Sequence, residues 1–220
     1  MLKKMLLGLT VFTIFNTGCS GSESIDEFTE SIRKDTEIDF FEQEDEEEIS
    51  VVYAETAHNP QLAEFLADYY GIDEENCLET RYYYNYYDLN QDGQDEVIAM
   101  VLSEELTDGS GNPVLILSQA EGEFFVLESF AWAHTPIYVR ESTTNGWRDI
   151  VLNIYGKGLE NGYRIYCHSA DSGYQDGESV LYDDLPRDVP MVQILSNNLI
   201  DDYDRGDYLT LIPEKDSRSL

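Results

Sequence analysis

The sequence predicts an α+β domain: mostly antiparallel sheet, with one clear amphipathic helix near the start of the domain. Three observations predict it. Apolar residues recur at i, i+3, i+4 and i+7 over Leu62, Phe65, Leu66 and Tyr69, the spacing of a single buried helix face. Most of the remaining chain falls into short runs rich in aromatic and β-branched residues. The segments between these runs are short and rich in glycine, which suits hairpins rather than crossovers.

The helix is delimited at both ends. Asn59 is a good N-cap, Pro60 fits the first helical position, and Gly71 supplies a stop. Strands are predicted over 81–89, 97–102, 113–118, 123–130, 137–141, 147–155 and 163–168. Asn145-Gly146 is a strong hairpin signal between two of them. A second short helix is expected within 190–202, followed by a last strand over 208–212. The run Tyr82-Tyr83-Tyr84-Asn85-Tyr86-Tyr87 alternates faces on a strand. It reads as half-buried core, with a sugar-stacking platform as the alternative. Together these elements make a single globular domain over 51–213, with a disordered tail over 214–220.

The chain begins differently. Lys3 and Lys4 precede an apolar run from Leu6 to Phe15, and then come Asn16-Thr17-Gly18-Cys19-Ser20. Charge, a short apolar stretch and small residues in that order make a secretory signal over 1–18. The run is shorter than the ~20 apolar residues needed to span a bilayer. With a cysteine directly after Gly18, the set resembles the lipobox of bacterial lipoproteins. Asn16 stands where that family usually has Leu. The resemblance implies cleavage after Gly18 and a lipid on the Cys19 thiol. An extracytoplasmic location, anchored to a bacterial membrane through Cys19, follows from it.

Removing 1–18 takes away Lys3 and Lys4 and no acid, leaving 45 acidic and 11 basic residues, a net charge of −34. Such a chain has no grip on nucleic acid, whose phosphates demand Lys and Arg. It has no electrostatic attraction to anionic lipid either, so the membrane partner is reached through acyl chains. Residues 20–50 hold 13 acidic and two basic residues, ending in Glu44-Asp45-Glu46-Glu47-Glu48. Like charges and scarce apolar surface predict an acidic disordered tether over 19–50. A docking tail for a basic partner is the competing reading. With Cys19 given to lipid, Cys77 and Cys167 remain as a disulfide candidate in an oxidising compartment. Two separate buried thiols are the alternative.

One segment carries chemistry. In Asp88-Leu89-Asn90-Gln91-Asp92-Gly93-Gln94-Asp95-Glu96, oxygen-bearing side chains recur at positions 1, 3, 5 and 9, with glycine at 6. Ca²⁺ takes six to eight oxygens, partly from backbone. Asp88, Asn90, Asp92 and Glu96 are the candidate side-chain donors, and Gln94 the candidate carbonyl donor. Four carboxylates within nine residues repel one another unless a cation compensates. Position 12, where an EF-hand needs Glu, is Ala99, and the flanks read as strands. The pattern instead resembles the strand–loop–strand calcium loops of FG-GAP-type repeats, here in one copy. The bland alternative is an acidic turn held by Asx hydrogen bonds.

More widely, 58–66, 82–98, 109–117 and Asn145-Gly146-Trp147-Arg148-Asp149-Ile150-Val151 resemble a family of uncharacterised bacterial envelope lipoproteins. The resemblance implies a shared fold and location and no activity.

Other features nominate less. His58, His134 and His168 share no metal spacing, and His134 near Trp132 has no partner in sequence. Serine-elbow, His-Glu-x-x-His and phosphate-loop motifs are absent. Arg205-Gly206-Asp207 matches an integrin tripeptide, though Gly206 reads as a turn; Asp201, Asp202 and Asp204 are a weak second cation site. The expected function is therefore a non-enzymatic, calcium-stabilised binding or structural module of the cell envelope, partnered by an envelope protein or glycan. The alternatives are a cell-wall glycan or peptide hydrolase using carboxylates, and an acidic inhibitor of a cationic hydrolase such as lysozyme.

Overall fold

The computed structural model describes residues 49–107, 109–156, 161–181 and 189–212. The signal over 1–18, Cys19, nearly all of the tether and the tail over 214–220 lie outside the described residues. Ser50, counted with the tether in sequence, already belongs to a strand.

Ten strands and three helices follow in chain order among the described residues. They are β1 (Ser50–Val51), α1 (Pro60–Tyr70), α2 (Glu74–Cys77), β2 (Arg81–Tyr87), β3 (Glu96–Leu102), β4 (Asn112–Ala120) and β5 (Glu123–Thr144). Then come β6 (Trp147–Ile154), β7 (Gly162–Ser169), β8 (Gly173–Leu181), β9 (Met191–Ile194), α3 (Leu199–Arg205) and β10 (Leu209–Thr210). The class is α+β, with antiparallel pairing everywhere except the parallel pair β1–β9.

α1 forms where the sequence places it. The Asn59 side chain accepts from the Leu62 N–H, Pro60 opens the helix, and Gly71 closes it in a left-handed conformation at φ 66°. Its inward face of Leu62, Ala63 and Leu66 is wholly buried. That face packs on Tyr82, Tyr84, Val97, Ala99, Val101, Leu115, Leu117 and Phe124 from one side of β2–β5.

The residues between these point the other way. Tyr83, Ile98, Met100, Val114, Ile116 and Phe130 meet Ile137, Val139, Ile150, Leu152 and Ile194 in a second core. The strand order β10-β2-β3-β4-β5-β6-β7-β8 thus turns over on itself along β5. The first part of β5 pairs with β4, and the second part pairs with β6 and β9. The changeover lies near Pro136, which has no N–H to give a ladder. Layering runs helix, β2–β4 half, β6–β9 half. β3 is buried on both faces, which explains its unbroken apolar run.

Several expectations are corrected. The strands expected over 123–130 and 137–141 are one strand, because chain continuity carries β5 across both halves. The helix expected within 190–202 is confined to Leu199–Arg205. Met191–Ile194 is a strand paired between β1 and β5, with Ile194 and Met191 buried on opposite faces. β8 was not expected at all.

The tyrosine run is core at Tyr82, Tyr83 and Tyr84, since β2 is covered on both sides there; Tyr86 is exposed and Tyr87 half-buried. The disulfide candidate is also overturned, because Cys77 and Cys167 are free thiols. Cys77 ends α2 in the helix-side core, whereas Cys167 packs on the outer face of β6–β7 beside Ile165. The two halves of the sheet lie between them. Burial, the largest cause for each, raises both thiol pKa values.

Two outcomes follow. Leu66→Ala is expected to cost about 2–5 kcal/mol in urea denaturation, while exposed Ile200→Ala changes it by less than about 0.5 kcal/mol. Thiol titration of the unfolded chain without reductant should find both Cys77 and Cys167 reactive; a titre without them would restore the bridge.

Candidate metal centre

The acidic loop joins β2 to β3, whose ends are held in register by the Tyr87–Glu96 pair. Antiparallel pairing brings the β4–β5 turn to the same end of the sheet. The β5–β6 and β7–β8 turns come together likewise at the corresponding end of the other half. A hydrogen bond of 2.8 Å from the Arg148 N–H to the Leu89 carbonyl fastens the two halves there.

Within the loop, Leu89 is wholly buried in the core between the sheet halves. It sits between two candidate donors, Asp88 and Asn90, so the loop is pinned at its base. Gly93, at φ 85°, takes the sharp turn that the sixth position requires.

Each acidic candidate donor is turned to a backbone amide. Asp88 Oδ2 accepts from the Gly93 N–H at 3.0 Å, and Asp92 Oδ1 from the Gln94 N–H at 2.8 Å. Asn90 Oδ1 accepts from the Asp92 N–H at 2.8 Å. Glu96 takes the Leu89 N–H on Oε2 at 2.8 Å and the Asn90 side-chain amide on Oε1 at 3.0 Å. Gln94 is exposed. Among the described residues, no three acidic, histidine or cysteine side chains converge into a closed ligand set.

Two features of the loop nevertheless fit a hard cation. Asp88 Oδ1 is buried and has no hydrogen-bond partner, a costly position for a carboxylate oxygen. Glu96 is buried too, and burial holds its carboxyl above the usual range. The Leu89 hydrogen bond opposes that rise, and the charges of Asp92 and Asp88 add to it. A divalent cation would relieve both strains at once. Asp88, Asn90, Asp92 and Glu96 would hold it through side-chain oxygens and Gln94 through its carbonyl. Its role would be to neutralise the loop and fix its conformation.

Arg148 and Tyr174, which carry the contacts of this loop into the second half, were not legible as part of the site. Arg148 stacks its guanidinium over the Tyr87 ring at 5.6 Å, and its carbonyl accepts from the Tyr174 hydroxyl at 2.8 Å. Tyr174 lies on β8, whose polar Gly-Tyr-Gln-Asp-Gly run gave no strand signal.

The remaining nominated residues separate. His134 Nε2 lies 3.1 Å from the Ser110 carbonyl and 3.2 Å from the Tyr155 carbonyl, and its ring stacks on Tyr155 at 3.5 Å. Two carbonyl neighbours demand a proton on Nε2, so this nitrogen is a structural donor. His168 stacks on Trp147 at 4.8 Å. Asp202 is tied to Arg205 and Asn197, and Asp201 to Asn198. Arg205 and Asp207 bind one another at 2.8 Å, which engages the tripeptide internally.

No protein-family model, curated protein or solved structure matches this chain. The likeness to FG-GAP-type loops and to envelope lipoproteins thus rests on the residue patterns alone.

Burial is the largest cause lowering the pKa of both His134 and His168 from 6.5. The fold therefore favours the neutral imidazole at both positions, and the unfolded chain binds more protons as pH falls through 6.5. The contribution of these two histidines to stability is expected to be present in full above pH ~6.5 and to be lost as pH drops below it. Melting curves from pH 5 to 8 on wild type and His134→Gln check this: the variant should show the shallower slope.

Proposed function

We propose that the chain is a non-enzymatic, calcium-stabilised binding or structural module of the cell envelope. In this reading it is held to a bacterial membrane by a lipid on Cys19 and presents the folded domain outside the cytoplasm. The observation that carries it is the Asp88–Glu96 loop. Spacing, the left-handed glycine, the unpartnered Asp88 Oδ1 and the buried Glu96 all suit one hard cation. His134 fits the same reading as a structural residue, its Nε2 being engaged by backbone carbonyls.

Calcium titration is the test. Ca²⁺ at 100 times its dissociation constant should stabilise the purified chain by about 2.7 kcal/mol, read as a rise in melting temperature after chelation and refilling. Asp92→Asn keeps the acceptor for the Gln94 N–H and removes one charge. It should leave the metal-free melting temperature within a few degrees and weaken calcium at least about tenfold. An unchanged melting temperature at millimolar Ca²⁺ would sink the reading. The anchor has its own check: mass spectrometry of the native protein should find an acylated N-terminal Cys19, and an unmodified Gly18-Cys19 peptide would remove it.

A further inference from the structure

The loop and the β7–β8 hairpin meet through one buried residue. Leu89 gives its N–H to Glu96 and takes the Arg148 N–H on its carbonyl. Arg148 in turn takes the Tyr174 hydroxyl on its own carbonyl at 2.8 Å. Tyr174 is itself held: its N–H donates to Glu128 Oε2 at 2.9 Å, and its ring packs edge-on against Trp147 and His168. A Cβ on neighbouring Gly173 would lie 2.8 Å from Glu128 Oε2, so the hairpin is seated tightly on β5.

We propose that Tyr174 is a positioning residue for the cation loop, so that cation binding at Asp88–Glu96 and seating of the β7–β8 hairpin are one coupled equilibrium. The proposal rests on the calcium reading. Its physical basis is Leu89, flanked by Asp88 and Asn90 and wholly buried. Without a cation the loop acids repel, and any opening of the loop must move Leu89. Moving Leu89 breaks its bond to Arg148 and loosens the carbonyl that receives Tyr174. Arg148 is gripped from the loop side as well, by its stacking on Tyr87 next to Asp88. Coupling of this kind is reciprocal: a hairpin that holds Arg148 in place favours the cation-ready loop as much as the cation favours the seated hairpin.

The experiment compares wild type, Tyr174→Phe and Tyr86→Phe. Calcium is titrated calorimetrically, and amide hydrogen exchange is followed by mass spectrometry with and without CaCl₂. Tyr86 also loses a hydroxyl, but one bonded to the Asn59 side chain on the helix side. In wild type, calcium should slow exchange over 88–96 and also over 147–149 and 173–176. Tyr174→Phe should weaken calcium about three- to tenfold, the worth of one hydrogen bond, and Tyr86→Phe should not. Protection confined to 88–96, with equal affinity in Tyr174→Phe, overturns the coupling and leaves the calcium reading standing. No calcium binding by wild type overturns both. Should Tyr174→Phe fail to fold, the wild-type exchange pattern alone decides.

Discussion

The architecture depends on burying both faces of β3. Glu96–Leu102 is apolar from Val97 to Leu102, so neither side tolerates water. One face is covered by a short amphipathic helix and the other by the sheet itself, doubled back. The doubling needs a strand that serves both halves, and β5 is that strand. Everything else follows from this folding-over. The second core forms between the halves, the connecting turns gather at one end, and the acidic loop comes to face the start of β6.

Some of this was legible in the chain. The helix was, because Asn59, Pro60 and Gly71 are local devices that act on their own neighbours. The strands β2, β3, β4, β6 and β7 were, because their residues are β-branched or aromatic. The continuity of β5 was hidden by Pro136, which reads as an interruption and marks a partner change from β4 to β6 and β9. β8 was hidden because its edge position demands few apolar side chains. Met191–Ile194 reads equally as helix in sequence because a short apolar run has no decisive period. Parity in sequence pairs the two cysteines but says nothing of layers. Cys77 and Cys167 sit on opposite outer faces.

The acidic loop shows the same division. Its donor pattern and glycine are local, so Asp88, Asn90, Asp92, Gln94 and Glu96 stood out by spacing. Its electrostatic strain comes from tertiary structure. Glu96 is buried because β3 is buried, and Asp88 Oδ1 is enclosed because Leu89 draws the loop base inward. The hydrogen bonds of the loop engage Asn90 Oδ1 and both Glu96 oxygens and leave Asp88 Oδ1 without a partner, so a cation there would share some donors with the amides. The tyrosines were abundant enough to suggest a platform, yet the layer that covers them on each side is assembled from residues far away in sequence.

The parallel pairing of β1 with β9 has a consequence for assembly. The first strand of the domain finds its partner near the end, and the Ala54 N–H is satisfied by the Asn197 side chain across 143 positions. A polypeptide that emerges amino terminus first therefore holds an unmatched leading segment until its last elements arrive. High contact order of this sort slows closure and prolongs exposure of sticky intermediates. In that interval the abundant acidic side chains keep neighbouring copies apart by mutual repulsion.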